Sequence, residues 1–184
     1  MKSRSSKTAA KPEASEKPVM VVVETPRGNH NKYKYDEKTG RMKLSKVMPE
    51  GMMFPYDFGF FPETKTEDGD PLDVLILSDE GTFPGCQIDC RLIGVIKAEQ
   101  TQEEKQSRND RLIAVAEASV LYSGVRELSD LEPAVLKQIE DFFVNYQKVR
   151  DIEFKVTARE GSQSAGEVLQ AAGPHHARTR RKAA

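Results

Sequence analysis

Three carboxylates, Asp68, Asp70 and Asp73, fall within six residues of Glu67-Asp-Gly-Asp-Pro-Leu-Asp73, at the entrance to an apolar run. Gly69 tightens this turn and Pro71 stiffens it, so the charges cannot easily avoid one another. At about 5 Å and an effective dielectric near 20, each close pair repels by roughly 3 kcal/mol. A proton or a metal ion relieves that repulsion. Asp73 shares strand parity with Leu75 and Leu77, which draws it toward the interior, where an uncompensated charge is costly. A hard, oxygen-seeking cation offsets the cost. Standing alone, Asp-Gly-Asp-Pro reads as solvated turn chemistry. An EF-hand loop is excluded by spacing, because the sixth and twelfth positions counted from Asp68 are Asp73 and Asp79 instead of Gly and Glu.

A second group is basic. Lys32 and Lys34 share one strand face, and Lys46 has the parity of Met42 and Leu44, the apolar side of its run. An inward lysine needs an anionic partner. Arg111 follows Asp110 at the mouth of another strand, and Tyr146 with Lys148 closes a long helix. Each of these alone reads as a solvated or snorkelling side chain; clustered beside metal-binding carboxylates they point to phosphoryl oxygens. The histidines are His30, His175 and His176, one in a loop and two near the end, so no Ser-His-Asp arrangement competes. His and Cys are too few for a zinc cage.

These groups need a scaffold. Short apolar or β-branched runs at 20–24, 32–35, 42–47, 73–77, 88–96 and 112–116 are separated by turn chemistry, which predicts a closed or nearly closed antiparallel barrel. Asp36 to Gly40 reads as a hairpin loop, and Gly51 to Gly59 and Gly81 to Gly85 as loops. Val135, Leu136, Ile139, Phe142, Phe143 and Tyr146 recur at helical spacing and predict one helix against the barrel, capped by Ser129 or Asp130. After Val156 the pattern weakens, with a short helix expected over 165–172.

The chain has 184 residues and a net charge of −1. Residues 1–18 carry five Lys/Arg against two Glu, and residues 172–184 carry four Lys/Arg and no acid. The middle therefore holds 19 basic against 27 acidic residues, a net charge of −8. An acidic core favours divalent cations over nucleic acid as partner, although the arginines near the C-terminus leave a nucleic-acid role for the tail to be weighed. The division that follows is a disordered basic tail over 1–18, a domain over 19–160, and a short helix with a disordered basic tail over 161–184. No apolar run of 18 residues occurs, so no membrane span and no secretory signal are expected. Cys86 and Cys90, four apart on an expected strand, are too distant to bridge and read as core thiols of a reducing, cytoplasmic setting.

Glu24, Lys32-Tyr33, Met48 to Gly59 and above all Asp68-Gly-Asp-Pro-Leu-Asp-Val74 resemble the family I soluble inorganic pyrophosphatases, over about Met20 to Lys148. The resemblance implies a mainly β fold, a five-stranded OB-like barrel with flanking α-helices. It also implies Mg2+-dependent hydrolysis of pyrophosphate, and a homo-oligomer that is often a hexamer in bacteria. By the same resemblance Asp68, Asp73 and Asp110 are metal ligands, Glu24 is a ligand through water, and Asp70 deprotonates the attacking water. Lys32, Lys46, Arg111, Tyr146 and Lys148 then hold phosphate oxygens. The chain departs from the family pattern at Phe54 and Phe58, where the family has Tyr, and at Lys34, Lys46, Gln100 and Gln147, where it has Glu, Arg, Asp and Lys. Glu99, Glu103 and Glu104, in a segment longer than usual, are candidates to replace Gln100. The alternative to an enzyme is a weakened relative that binds pyrophosphate or a nucleotide as a sensor.

Overall fold

The computed structural model of the chain describes residues 17–66 and 69–173. Asp68 and nearly all of both expected tails lie outside the described residues. The described residues form nine strands and two α-helices in the order β1 (Val19–Thr25), β2 (Asn31–Asp36), β3 (Arg41–Val47), β4 (Asp57–Phe60), β5 (Asp73–Leu77), β6 (Gln87–Gln102), β7 (Lys105–Arg108), β8 (Arg111–Ala116), α1 (Pro133–Lys148), β9 (Glu153–Gly161) and α2 (Ser162–Ala172). Among the described residues no helix is long and apolar enough to cross a membrane.

Strands β1, β4, β5, β8 and β6 pair in sequence, and β6 returns to β1 through Val19↔Cys90 and Val22↔Gln87, closing a five-stranded ring. The expected five-stranded core is therefore present. β5 (Asp-Val-Leu-Ile-Leu) and β8 (Arg-Leu-Ile-Ala-Val-Ala) are nearly uniform in their burial because both their faces are covered. Alternation along these strands sorts the core into two clusters. Leu75, Leu77, Ile113 and Val115 join Phe58 and the α1 residues Leu136, Ile139, Phe143 and Tyr146. Val74, Ile76, Leu112 and Ala114 join Val21, Val23, Cys90 and Ala165 of α2. One pairing in the ring is parallel: β5 and β8 run side by side from Val74↔Leu112 to Leu77↔Val115. Their first residues, Asp73 and Arg111, consequently begin at the same end of the ring, on the face that α1 covers.

Several sequence expectations are corrected. The loop expected over 51–59 contains the start of β4, fully buried, whose Asp-Phe-Gly-Phe carries no β-branched alternation to reveal it. β7, exposed throughout, and β9, whose outward side chains Glu153, Lys155, Thr157 and Arg159 are polar, carry little apolar signal of their own. α1 begins at Pro133 with Glu132 as its N-cap; Ser129 and Asp130 belong to a separate 3-10 turn, where the Asp130 carboxylate accepts from the Arg126 and Glu127 N–H groups. A proline lacks the N–H that a helix's first turn leaves unbonded, so Pro133 is a better start than the expected cap. The β2–β3 hairpin forms its own two-stranded sheet with a bulge at Lys32/Tyr33. Its supposed apolar side is open: Leu44 is 51% exposed, while Met42 and Lys46 are half-buried. Cys86 precedes β6 and is partly exposed, and Cys90 is buried within β6; both are free thiols, and burial pushes the Cys90 thiol up to about 12.

Asp57 is a buried carboxylate that sequence reading overlooked. It accepts from the Arg27 N–H at 2.7 Å and from the Thr82 N–H and hydroxyl at 3.1 and 2.6 Å, tying two loops to β4. The neighbouring contact between β4 and β1 is tight enough to require glycine. A Cβ on Gly59 would stand 2.2 Å from the Val22 carbonyl oxygen, which is backbone and cannot rotate away. Gly59→Ala is expected to cost about 3 kcal/mol, read by denaturant unfolding. A loss below about 1 kcal/mol would show that β1 and β4 separate without strain.

Candidate active site

The stretches 61–66 and 69–73 are held to each other by hydrogen bonds. The Thr64 hydroxyl donates to the Phe61 carbonyl at 2.6 Å and accepts from the Leu72 N–H at 2.9 Å. The Thr66 N–H and hydroxyl both donate to the Asp70 carbonyl, at 2.9 and 2.7 Å, and the Gly69 N–H closes onto Thr66. Gly69 takes a φ of 87°, which a side chain would resist. The Asp70 carboxylate is thereby presented at the surface, where it meets Lys34: Nζ lies 2.8 Å from both oxygens. That contact raises the Lys34 pKa above its ordinary value.

Asp73 opens β5 and pairs with Arg111 at 2.6 Å. The guanidinium is buried between Phe58 and Phe143, 6.0 and 5.5 Å from their ring centroids. Its Nε is the one buried side-chain polar atom among the described residues with no hydrogen-bond partner. An orphaned buried donor costs about 1 to 3 kcal/mol, so this atom calls for a ligand oxygen or a water.

Glu24 stands in the bulged end of β1, 7% exposed, and accepts from the Tyr35 N–H at 2.7 Å. Burial pushes its carboxyl up to about 7; the Tyr35 hydrogen bond and the charges of Lys32 and Lys34 oppose this, while the charge of Asp73 adds to it. The donor chemistry of Glu24, Asp70 and Asp73 is all oxygen and suits a hard divalent cation. A buried carboxyl that resists ionisation beside a second carboxylate is where such a cation relieves most cost. Among the described residues, no three of His, Cys, Asp and Glu lie close enough to enclose an ion, and Asp68 is outside them.

Beside the carboxylates lies a cationic group. Lys32 Nζ donates to the Tyr146 hydroxyl at 3.1 Å and sits 5.2, 5.2 and 5.9 Å from the ring centroids of Phe58, Tyr146 and Phe54. Three ring faces stabilise its charge within the aromatic layer. The Lys46 pKa is lowered, by burial first and then by the charges of Arg150 and Lys32. Burial alone would raise the Tyr146 hydroxyl, but Lys32, with Lys46 and Arg150, brings it below its ordinary value.

The expected site residues thus divide. Glu24, Asp70, Asp73, Lys32, Lys46, Arg111 and Tyr146 come to one face, with Lys34 among them. Asp110 points elsewhere: its oxygens take the Ala98 N–H at 3.3 Å and the Arg108 side chain, and it lines a cleft of about 360 Å3 with Lys97 and Thr157. Alternation explains this, since Asp110 has the parity of Leu112 and Arg111 that of Ile113. Gln100 accepts from the Asn109 amide and donates to the Ser107 hydroxyl at 3.2 Å. Glu103 and Glu104 form the exposed turn between β6 and β7, and exposed Glu99 accepts from Gln106 at 2.7 Å, so the long segment is a hairpin. Lys148 is exposed in the last turn of α1. Arg150, which sequence reading missed, lies 5.6 Å over the Tyr146 ring; past the end of the helical pattern, nothing in the sequence marks it.

The family model described as "Inorganic pyrophosphatase" matches residues 21–176. The inorganic pyrophosphatase of Methanosarcina acetivorans is 34% identical over 152 residues, which are 83% of this chain and 88% of that protein. That of Geobacillus stearothermophilus is 34% identical over 151 residues, 82% and 89% of the two chains. The crystal structure of inorganic pyrophosphatase from Thermus thermophilus superposes with a TM-score of 0.78 at 31% identity, covering 90% of this chain and 95% of that one. The inorganic pyrophosphatase from Helicobacter pylori superposes equally, with a TM-score of 0.78 at 30% identity and coverage of 91% and 96%.

Glu24 makes metal-free stability depend on pH. Its folded pKa of about 7 lies above the ordinary 4.5, so between those values the folded chain holds a proton that the unfolded chain has lost. Stability that is complete below about pH 4.5 is therefore lost as pH rises toward 7, by roughly 2 to 4 kcal/mol. In chelator, the stability of the parent relative to Glu24→Gln is expected to fall by that amount between pH 4.5 and 7.5. Equal pH slopes in the two proteins would show that Glu24 ionises freely.

Proposed function

The chain belongs to the inorganic pyrophosphatase family, and we propose that it hydrolyses inorganic pyrophosphate to two phosphates, with Mg2+ as the divalent cation, at the face where Asp70, Asp73 and Glu24 meet Lys32, Lys46 and Tyr146. The observation that carries the reading is Arg111. A guanidinium buried beneath α1, neutralised by Asp73 and left with an unbonded Nε, fits a site that receives anionic oxygens.

Glu24, Asp73 and Asp68 are the residues proposed to hold the cation. When bound, it supplies positive charge against the carboxylates and lowers the pKa of water. Asp110 is left out of this set because its oxygens already serve Ala98 and Arg108. Asp70 accepts the proton of the attacking water. Lys34 occupies one acceptor site on each Asp70 oxygen, out of the roughly four that a carboxylate offers. Lys32, Lys46, the Tyr146 hydroxyl and Arg111 Nε donate to phosphoryl oxygens and stabilise the charge that builds on the departing phosphate. Phe54 and Phe58 bring no hydroxyl, and their rings hold Lys32 in place. Asp70 is retained and its carbonyl is held by two hydrogen bonds from Thr66, which favours hydrolysis over a sensor that only binds. The two unbridged thiols fit a reducing cytoplasm. The family resemblance supports assembly as a homo-oligomer, of which the hexamer is the bacterial form it implies.

Phosphate release from pyrophosphate is expected to require Mg2+ and to cease under full chelation; turnover that survives chelation would overturn the reading. Asp70→Asn keeps the shape but cannot take the proton, and is expected to lower the rate by roughly 10^2 to 10^4-fold. A variant within threefold of the parent would show that another group is the base.

A further inference from the structure

Lys32, Lys46 and Arg150 gather around the Tyr146 side chain, and among the described residues none of the three is paired with a carboxylate. Arg150 is the one whose place is built by its neighbours. The last turn of α1 continues into hydrogen bonds from Arg150 N–H and Ile152 N–H to the Gln147 carbonyl, at 2.9 and 3.1 Å. Gln147 itself is 1% exposed, and its Oε1 accepts from Arg150 Nη1 at 2.7 Å. A buried amide therefore anchors one edge of an exposed guanidinium, while the Tyr146 ring, 5.6 Å from its central carbon, supports its plane. One of five N–H donors is used by Gln147, and the remaining edge can make a two-point contact with a phosphoryl group.

We infer that Arg150 is a phosphate-binding residue of this site and that buried Gln147 is the residue that positions it. The inference rests on the reading of the Lys32 face as the phosphate side. Position 147 faces the interior, so a charge needed at this end of the pocket cannot come from it; Arg150, three residues on, brings one to the same place. Lys46 and Tyr146 both respond to the Arg150 charge, which places the guanidinium electrostatically within the group. Like charges gathered without carboxylates repel one another, and a bound polyanion removes that repulsion. The competing role is a cation that merely offsets the C-terminal end of the α1 dipole, for which Lys148 in the last turn already serves.

Binding of methylenediphosphonate, a non-hydrolysable pyrophosphate analogue, to the full chain in Mg2+ tests this by calorimetry, beside steady-state kinetics on pyrophosphate. Arg150→Gln is expected to raise Kd and KM by roughly 10 to 100-fold with kcat within about threefold, as loss of a charge-assisted contact requires. Arg150→Lys should recover part of the affinity, and Gln147→Leu should raise KM by a smaller factor. If Lys32→Gln weakens binding tenfold while Arg150→Gln changes Kd by less than twofold, Arg150 is a helix-end cation and the inference fails with the site reading intact. If neither substitution changes Kd, the Lys32 face is not the phosphate side and both fail. A fall in melting temperature for Arg150→Gln with unchanged affinity likewise overturns the inference.

Discussion

Arg111 enters β8 with its guanidinium beneath α1, between the rings of Phe58 and Phe143, and reaches Asp73 at 2.6 Å. A buried guanidinium is tolerable only if a carboxylate meets it there, and that requirement constrains everything around it. Asp73 can meet it because β5 and β8 run parallel and start together, which in turn needs β6 to pass between β1 and β8 and close the ring. The ring presents a single face to α1, and the helix brings Tyr146 and Phe143 to that face. Site and scaffold are in this sense one arrangement, since parting β5 from β8 would separate the two charges.

Two buried carboxylates show how surroundings assign different roles to the same chemistry. Asp57 takes two backbone N–H groups and a hydroxyl, so its charge is fully solvated by protein and serves to fasten loops. Glu24 has one backbone donor, little water and the charge of Asp73 nearby, and its carboxyl resists ionisation. The first arrangement is complete, whereas the second gains from a cation. Asp70 differs again. It is exposed and meets Lys34, so its surroundings are set by an ammonium instead of by burial.

The departures from the family pattern form local solutions. Phe54 and Phe58 turn their faces to Lys32, keeping its charge at the pocket without hydroxyls. Gln100 and Asn109 pair their amides, so the long segment after Glu99 satisfies itself as a hairpin and does not lend its glutamates to the site. Gln147 goes into the core, and Arg150 occupies the space beside Tyr146.

Local spacing was enough for the strands at 73–77 and 112–116 and the periodic body of α1. Those features depend on apolar periods of two and three to four, which are written along the chain. β4 and β9 escaped notice because their stability comes from partners distant in sequence, β4 from β1 and β5 and β9 from β6, and β7 because it is exposed throughout and carries no apolar alternation. Side-chain direction was equally out of reach. Asp110 and Arg111 are adjacent in sequence and both belonged to the expected site, yet a strand sends neighbours to opposite faces, and only the register of β8 decides which one faces α1. Lys148 and Arg150 differ in the same way. Both are basic and near Tyr146 in sequence, but the turn that ends α1 and the buried anchor Gln147 bring Arg150 alone over the ring, because the contact depends on where the helix stops and not on how many residues separate the charges.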